Sequence, residues 1–340
     1  MNISICITTF NEEGSIGALL DSLLTQTKKA DEIVIVDGGS TDKTVEIINH
    51  YPACISYAKS MAGRQKKPVI KFLISKGATR SEGRNLSIEI AKGDIIATTD
   101  AGCIAHKDWL EEITSPFLIR TNRVDPHHQN FGVGVDISAG FYHMTGSHPV
   151  NKAMSVFLGV TLRHFDINFL PSTRSMAFRR SAWELVGGFP EGRENSAEDT
   201  DFNYKAVKLG LKYARVKSAV VEWGMTDIIS NFQLKIYNYA KWDARHGIWW
   251  HPVQGLASHN IHSLLIVVRY LVSLGLFIFC LSHPPLLVYW FIGLLVYLSW
   301  AYRKIYLEFG DWRIAVWGPF LQITCDFAVM SGFISGILGR

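Results

Sequence analysis

The chain has 340 residues, 48% hydrophobic and 19% charged, with a formal net charge of +4. That length suits one large domain or two smaller ones, and so mild a charge gives no basic field for nucleic acid, which is not expected as a partner. Its five cysteines are scattered without a C-x-x-C pair, which argues against a zinc site or thioredoxin motif and for thiols buried in a reducing compartment. The apolar residues are unevenly spread. Up to about Asn260 the pattern is that of a soluble α/β protein, and from Leu264 onward charges are scarce and apolar runs long. A soluble domain followed by a membrane domain is the expectation.

Residues 3–9 alternate as a strand and follow Met1-Asn2 without a basic n-region, so no secretory signal is expected and the first domain should face the cytoplasm. The strand ends in the mostly polar Thr8-Thr9-Phe10-Asn11-Glu12-Glu13-Gly14. Ile16, Leu19, Leu20, Leu23 and Leu24 then recur at helical spacing. Residues 32–37 (EIVIVD) read as a second buried strand. Gly38-Gly39 permits a tight turn after it, and Ser40 or Thr41 is placed to cap a helix carrying Val45, Ile47 and Ile48. Strand, helix, strand, helix implies a mostly parallel sheet. Asp37 ends its strand either as a turn stabiliser or as a group that meets a base or ribose. Neither a G-x-G-x-x-G fingerprint nor a P-loop is present.

A third strand is expected over 69–74. The cluster from Gly77 to Asn85 opens a helix with Ser81 as its cap, and Arg80 and Arg84 lie one turn apart on one face. They are either solvated or able to bind a diphosphate or orient Asp100. The run from Ile95 ends abruptly in Thr98-Thr99-Asp100-Ala101-Gly102. Ligands of open α/β sheets bind outside such carboxyl ends. Asp100 can cap a following helix, or it can leave room for a metal ion and a phosphate; acidic stretches on either side of it in the chain favour the second reading. A short helix follows over 107–115, ended or kinked by Pro116. Residues 121–130 read as a loop, in which the neighbours His127 and His128 do not share a face. A strand is expected over 131–137, a helix over 151–166 and a site-lining strand over 175–178. Trp183, Leu185 and Val186 form a short helix closed by Gly187-Gly188. The acidic stretch from Glu194 to Phe202 then opens a helix. Its Glu198, Asp199 and Asp201 either complement the helix dipole or supply a carboxylate base.

The pieces ITTFNEEGSIGALLDSLLTQT, EIVIVDGGSTDKT, GRNLSIEIAKGDIIATTDAG, RRSAWELVGGFPE and EDTDFNYKAVKLG occur in this order over roughly residues 2–225. Together they resemble the family 2 glycosyltransferases of the GT-A fold. The resemblance implies an α/β nucleotide-sugar-binding domain over 1–225, a nucleotide-sugar donor, a divalent metal (Mg²⁺ or Mn²⁺) and inversion at the anomeric carbon. It places Thr8, Thr9 and Glu12 at the nucleotide pocket, with Asp37 on the base; Arg84, from its own position beside Arg80, is expected among the donor-binding residues. Asp100 matches the first Asp of the family's D-x-D, at the ribose and metal, and Asp199, in the pair Glu198-Asp199, matches the catalytic base. Two departures stand out. Gly102 occupies the place of the second D-x-D carboxylate, and Gly38 that of a second Asp carried by many relatives, so another group must complete any metal shell. The Q-x-x-R-W motif of processive synthases is absent from QLKIYNYAKW (residues 233–242), which points to transfer of a single sugar.

Residues 226–260 mix apolar, basic and aromatic side chains and read as an interfacial amphipathic linker. The remainder, 261–340, reads as a membrane domain of two or three hydrophobic helices. Runs at 264–282 and 286–301 are separated by Ser282-His283-Pro284-Pro285, and Arg269 is placed to snorkel toward the interface. Arg303, Lys304 and Arg313 are expected in the next loop, which the positive-inside rule sets in the cytoplasm. A third run, 314–338, spans or re-enters; its Asp326 needs a partner in lipid. The expected function is transfer of one sugar to a lipid-linked or membrane-proximal acceptor on the cytoplasmic face of an integral membrane protein. A polyprenyl-phosphate sugar synthase and a catalytically silent nucleotide-binding scaffold are the alternatives.

Overall fold

Residues 33–36 and 95–97 are apolar without a polar face, and residues 3–9 set only small Ser, Cys and Thr side chains between isoleucines, so each requires cover on both sides, the situation of a parallel strand inside an α/β sheet. The computed structural model describes residues 1–51, 54–56 (backbone), 69–118, 134–146, 148–159, 161, 165–191, 197–224, 228–247, 249–252, 255 and 258–339. They form two units, Met1–His143 with Leu162–Gly224, and Met144–Thr161 with Met225–Arg340.

In the first unit the order is β1 (Ile3–Thr9), α1 (Ile16–Leu24), β2 (Glu32–Asp37), α2 (Thr44–Asn49), β3 (Cys54–Ser56), β4 (Val69–Ile74), α3 (Arg80–Ile90), β5 (Ile95–Thr98), β6 (Cys103–Ala105) and α4 (Trp109–Leu118). β7 (Ile137–Thr145) follows and leads into α5 (Pro149–Leu158) of the second unit. The first unit then resumes with β8 (Met176–Arg179), α6 (Arg180–Val186), α7 (Glu198–Lys208) and β9 (Tyr213–Gly224). The described strands make one nine-stranded sheet, ordered β3-β4-β2-β1-β5-β8-β7-β9-β6. β3 to β5 are parallel as their sequences require, and the β5–β8, β7–β8 and β6–β9 pairs are antiparallel, so the sheet is mixed. Its core holds Cys6, Val34, Ile88, Ile96, Phe178, Phe189 and Phe202. Burial pushes the Cys6 and Cys103 thiols up to about 12, which leaves them as inert packing groups.

Several local expectations are corrected. The cap of α3 is Thr79, in a reciprocal capping box with Glu82, and not Ser81. Neither Ser40 nor Thr41 caps α2, because Ser40 turns back to Asp37. Asp100 caps no helix, since β6 follows it. Pro116 lies inside the last turn of α4, which runs on to Leu118. The strand expected over 131–137 begins where that range ends. The helix expected over 151–166 is α5, already closed at Leu158. β3, β6 and β9 have no counterpart in the sequence reading. His127, His128 and Glu194 lie outside the described residues.

The second unit adds α8 (Ile229–His246), α9 (His259–Ser282), α10 (Leu287–Phe309), α11 (Trp312–Ala315) and α12 (Gly318–Leu338). Among the described residues three helical segments are long and apolar enough to cross a membrane, His259–Ser282, Pro284–Phe309 and Trp312–Leu338. α8 packs on α12 through small residues. A β-carbon on Gly332 would stand 2.2 Å from Tyr237 O, and one on Gly336 2.3 Å from Lys241 O. This is the close approach that a G-x-x-x-G spacing allows. Ala153, Met154, Phe232, Ile236, Ile305, Ile314 and Leu321 fill the centre of this unit. Arg303 and Lys304 belong to α10 rather than to a loop, and the Lys304 ammonium lies 4.1 Å from the Phe157 ring centroid. Arg269 does not snorkel; it donates to Asp326 Oδ2 at 2.7 Å.

Candidate active site

The carboxyl ends of β1, β2 and β5 meet at one edge, because β1 pairs with both neighbours in parallel and sets Thr9 opposite Asp37 and Cys6 opposite Thr98. Asp37 is fully buried. Its Oδ1 accepts from the N–H of Gly39 (2.9 Å) and Ser40 (2.8 Å), and its Oδ2 from Ser40 Oγ (2.5 Å), so in this structure it shapes the turn. Gly39 has φ +97°, a conformation that needs glycine. Thr9 is 4% exposed and its Oγ1 has no hydrogen-bond partner among the described residues, an exception for a buried hydroxyl. Thr8 faces α3, where a β-carbon on Gly83 would stand 2.5 Å from Thr8 Oγ1. Glu12 is anchored through its Oε2, which accepts from Ser15 Oγ at 2.5 Å, and through its N–H, which donates to Thr44 Oγ1 at 2.7 Å.

Arg84 joins the strand end to α7. Its side chain is 2% exposed, and it donates through Nη2 to Asp100 Oδ1 and through Nη1 to Glu198 Oε1, both at 3.2 Å. Arg80 adds a second guanidinium 3.6 Å from Glu198 Oε1. The α7 carboxylates are brought here by Ala197, whose φ of +68° makes the sharp entry into the helix. Nearby, Asn85 fixes the turn after α6: it accepts from Phe189 N–H (2.9 Å) and donates to Phe189 O (2.8 Å), beside Gly188 at φ +77°.

Arg174 completes the cluster and was not singled out by the sequence. It stands just before β8, its Nε 3.7 Å from Asp100 Oδ2, and its guanidinium lies 3.8 Å from the Trp223 ring centroid and 5.3 Å from that of Tyr142. The only signal in the chain was its position in PSTRSMAF, next to the strand expected to line the site.

The electrostatics follow from this packing. Burial alone would raise the Asp100 carboxyl, but Arg174, Arg84 and Arg80 outweigh it and hold the group below its ordinary range. Glu198 is likewise buried yet held low by Arg84 and Arg80. Asp199 moves the other way: burial and the adjacent Glu198 charge raise it, against the pull of Arg174 and Arg84. Neighbouring carboxyls driven apart in proton affinity are the arrangement that assigns separate roles to each.

For a divalent cation, the side chain at hand is Asp100. Gly102 brings no ligand, and a β-carbon there would stand 3.6 Å from Trp223 Nε1 and 3.9 Å from Glu12 Oε2. Among the described residues no group of three or more His, Cys, Asp or Glu side chains converges as a metal site. The set does not fit an all-protein cage. It does fit a cation that takes one or two carboxylates and fills its shell from phosphates, the usual habit of Mg²⁺.

The family described as Glycosyl transferase family 2 matches residues 4–185, and the chain belongs to that family. Among curated proteins it is similar to Glycosyltransferase AglE of Haloferax volcanii, 28% identical over 195 residues (55% of this chain, 56% of the relative). It is also similar to the O-antigen chain rhamnosyltransferase RfbN of Salmonella typhimurium, 26% identical over 228 residues (65% and 66%). A shorter match, 33% identical, covers 29% of this chain and 25% of the uncharacterized glycosyltransferase YibD of Escherichia coli. The chain thus spans between a quarter and two thirds of these relatives. Among solved structures, the mannosyltransferase PcManGT from Pyrobaculum calidifontis in complex with GDP-Man and Mn²⁺ aligns over 96% of this chain and 86% of its own, with TM-score 0.56 and 16% identity. S. aureus TarS 1-349 in complex with UDP-GlcNAc aligns over 100% and 93%, with TM-score 0.50 and 19% identity. At these identities the likeness is one of fold.

Proposed function

We propose that the protein is an inverting glycosyltransferase that moves one sugar from a nucleotide-sugar donor to a hydroxyl of a lipid-linked or membrane-proximal acceptor. The observation that carries this reading is the Arg84 bridge, which sets an ionised Asp100 at the sheet edge beside the start of α7, where Asp199 is held with raised proton affinity. Family membership and the nucleotide sugars named with the two solved relatives support the donor class.

In this reading the nucleotide lies across the ends of β1 and β2, and the buried Thr9 hydroxyl finds its missing partner there. Asp37 contributes through the turn it holds. Arg84 and Arg174 keep Asp100 charged and oriented, and Asp100 would hold a divalent cation together with the donor's phosphates, with Glu12 the carboxylate nearest the position of Gly102. Such a cation supplies neutralisation of the leaving diphosphate. Asp199 accepts the acceptor's hydroxyl proton. The acceptor oxygen bonds to the anomeric carbon as the bond from that carbon to the phosphate oxygen breaks, and the electron pair leaves with the nucleoside diphosphate. A single displacement of this kind inverts the centre. The three apolar helical segments support an integral membrane protein, and the basic residues near the end of α10 (Arg303, Lys304) and in α11 (Arg313), though helical rather than in a loop, support a cytoplasmic catalytic unit by the positive-inside rule.

The test is binding and slow hydrolysis of a panel of UDP- and GDP-sugars in nanodiscs, with and without Mn²⁺, by the native chain and Asp100→Ala. One nucleotide bound in an Asp100-dependent manner is expected. If no nucleotide binds under any metal condition, the reading is wrong.

A further inference from the structure

Within the second unit, α9 and α10 form a hairpin through the short turn at Pro284–Leu286 and enclose an open groove of about 590 Å³, a size typical of small-molecule sites. The groove has two unlike ends. Toward the turn it is apolar and aromatic: the Phe277 and Trp290 rings lie 4.9 Å apart, and Trp290 Nε1 is tied to Ser273 O at 3.0 Å. Val272, Leu276 and Leu294 continue this lining. Away from the turn it is polar, lined by Arg269, Tyr270 and Tyr297.

The polar end is built, not incidental. Asp326, 1% exposed, accepts from Arg269 Nη2 (2.7 Å), Tyr270 OH (3.0 Å), Tyr297 OH and Gln322 Nε2 (3.0 Å). Its charge is therefore shared among four donors. Arg269 engages only Asp326 by hydrogen bond among the described residues, and its ring contacts with Tyr297 (4.7 Å) and Tyr270 (5.4 Å) set the guanidinium against the lining. The rest of its five-donor fork is unspent, and the side chain remains 41% exposed. A guanidinium can serve two oxyanions at once, because its donors diverge in one plane. Asp326 takes one arm of that fork, and in apolar surroundings its remaining donors call for a further acceptor. Arg269 stands five residues into the apolar run that begins at Leu264, about 7.5 Å along the helix at ~1.5 Å per residue, within its first third.

We propose that the α9–α10 groove binds a long-chain lipid with a phosphate headgroup, the phosphate on Arg269 and the chain along Val272, Leu276 and Leu294 toward Phe277 and Trp290. Its role as the membrane carrier of the acceptor rests on the transferase reading above; the site itself rests on the groove. Gly293 lines the groove, and a β-carbon there would meet no atom within 4 Å, so a side chain can enter the groove from this position and Gly293→Phe fills it. Arg269→Lys keeps a charge for Asp326 while removing the fork, and so avoids leaving that buried carboxylate unpaired.

The full chain in phosphatidylcholine nanodiscs is exposed to an alkyl phosphate carrying a photoreactive diazirine in its chain, and separately to the corresponding alkyl alcohol. Phosphate-dependent labelling of peptides within 269–297 is expected. Gly293→Phe should abolish it, and Arg269→Lys should weaken it about tenfold, the scale of one charge-assisted hydrogen bond. Equal labelling by the alcohol, or labelling indifferent to Gly293→Phe, overturns the site. Equal competition by phosphatidylglycerol assigns the groove to bulk phospholipid and overturns the carrier. UDP- and GDP-sugar binding on the same nanodiscs reports the transferase reading separately, so either proposal can fail while the other stands.

Discussion

Arg84 holds Asp100 and Glu198 at once, 3.2 Å from each, so one buried guanidinium ties the end of β5 to the start of α7. The two carboxylates are far apart in the sequence, one after β5 and the other at the start of α7. Arg84 hydrogen-bonds both, while Arg174 and Arg80 add to the field that keeps them ionised.

Arg84→Met should therefore destabilise the chain by about 3 kcal/mol, because breaking a buried pair leaves the partner charge uncompensated. Arg84→Lys should fall between the two, since a single ammonium cannot reach both carboxylates as a fork does. Denaturant unfolding followed by tryptophan fluorescence checks this. A Met variant as stable as the native chain would show that Arg80 and Arg174 suffice.

Asp199 has its proton affinity raised, by burial first and then by the Glu198 charge. If ionised Asp199 removes the acceptor proton, the acid limb of the rate profile should lie above the ~3.9 of an ordinary Asp. Its apparent midpoint belongs to the pair with Glu198. Asp199→Asn should cost about 10²–10⁴ in rate while nucleotide binding persists. The sign for stability is opposite. A carboxyl raised in the folded state binds more protons there than when unfolded, so stability falls as pH rises from the unfolded to the folded value. Above that window Asp199→Asn should be as stable as the native chain or more so. A variant that loses both stability and nucleotide binding at neutral pH would mark Asp199 as structural.

The legibility of this chain follows its burial. β2 and β5 were readable because parallel strands covered on both faces leave continuous apolar runs, β1 by the alternation of its isoleucines, and β4 by apolar residues on either side of Lys71. β7 was not, because the chain there must be small. A β-carbon on Gly140 would stand 2.0 Å from Ser175 Oγ, so the strand begins Ile-Ser-Ala-Gly and shows no apolar period. Thr79 was passed over for Ser81 since both are hydroxyl residues near one helix start, and only the reciprocal bond with Glu82 separates them. Arg84 was legible through its spacing from Arg80 and the nearby acidic stretches. Arg174 was not: its meaning depends on Trp223, which comes from β9, a strand with no period to announce it. Asp326 announced that it needed a partner, but Arg269, Tyr270 and Tyr297 are distant in sequence and become its donors only through helix packing.

Gly102 offers the sharpest test of how a cation is held. The position has room: the nearest atoms to a β-carbon there are Trp223 Nε1 at 3.6 Å, Trp223 Cδ1 at 3.8 Å and Glu12 Oε2 at 3.9 Å, all ordinary contacts. Its φ is not in the left-handed region, so no backbone strain attends a side chain. Gly102→Asp rebuilds D-x-D beside Asp100 and should fold normally. If Asp100 with the donor's phosphates is the native set, the added carboxylate should tighten Mn²⁺ binding in the presence of the nucleotide and make donor hydrolysis more steeply dependent on the ion. Calorimetric titration of Mn²⁺ into the nucleotide complex reads this directly. Glu12→Gln in the Gly102→Asp background separates the two carboxylates: if Glu12 serves the position in the native chain, Glu12→Gln alone weakens the ion and the added Asp restores it. An unchanged affinity in Gly102→Asp would place the cation away from this edge, and with it the leaving diphosphate.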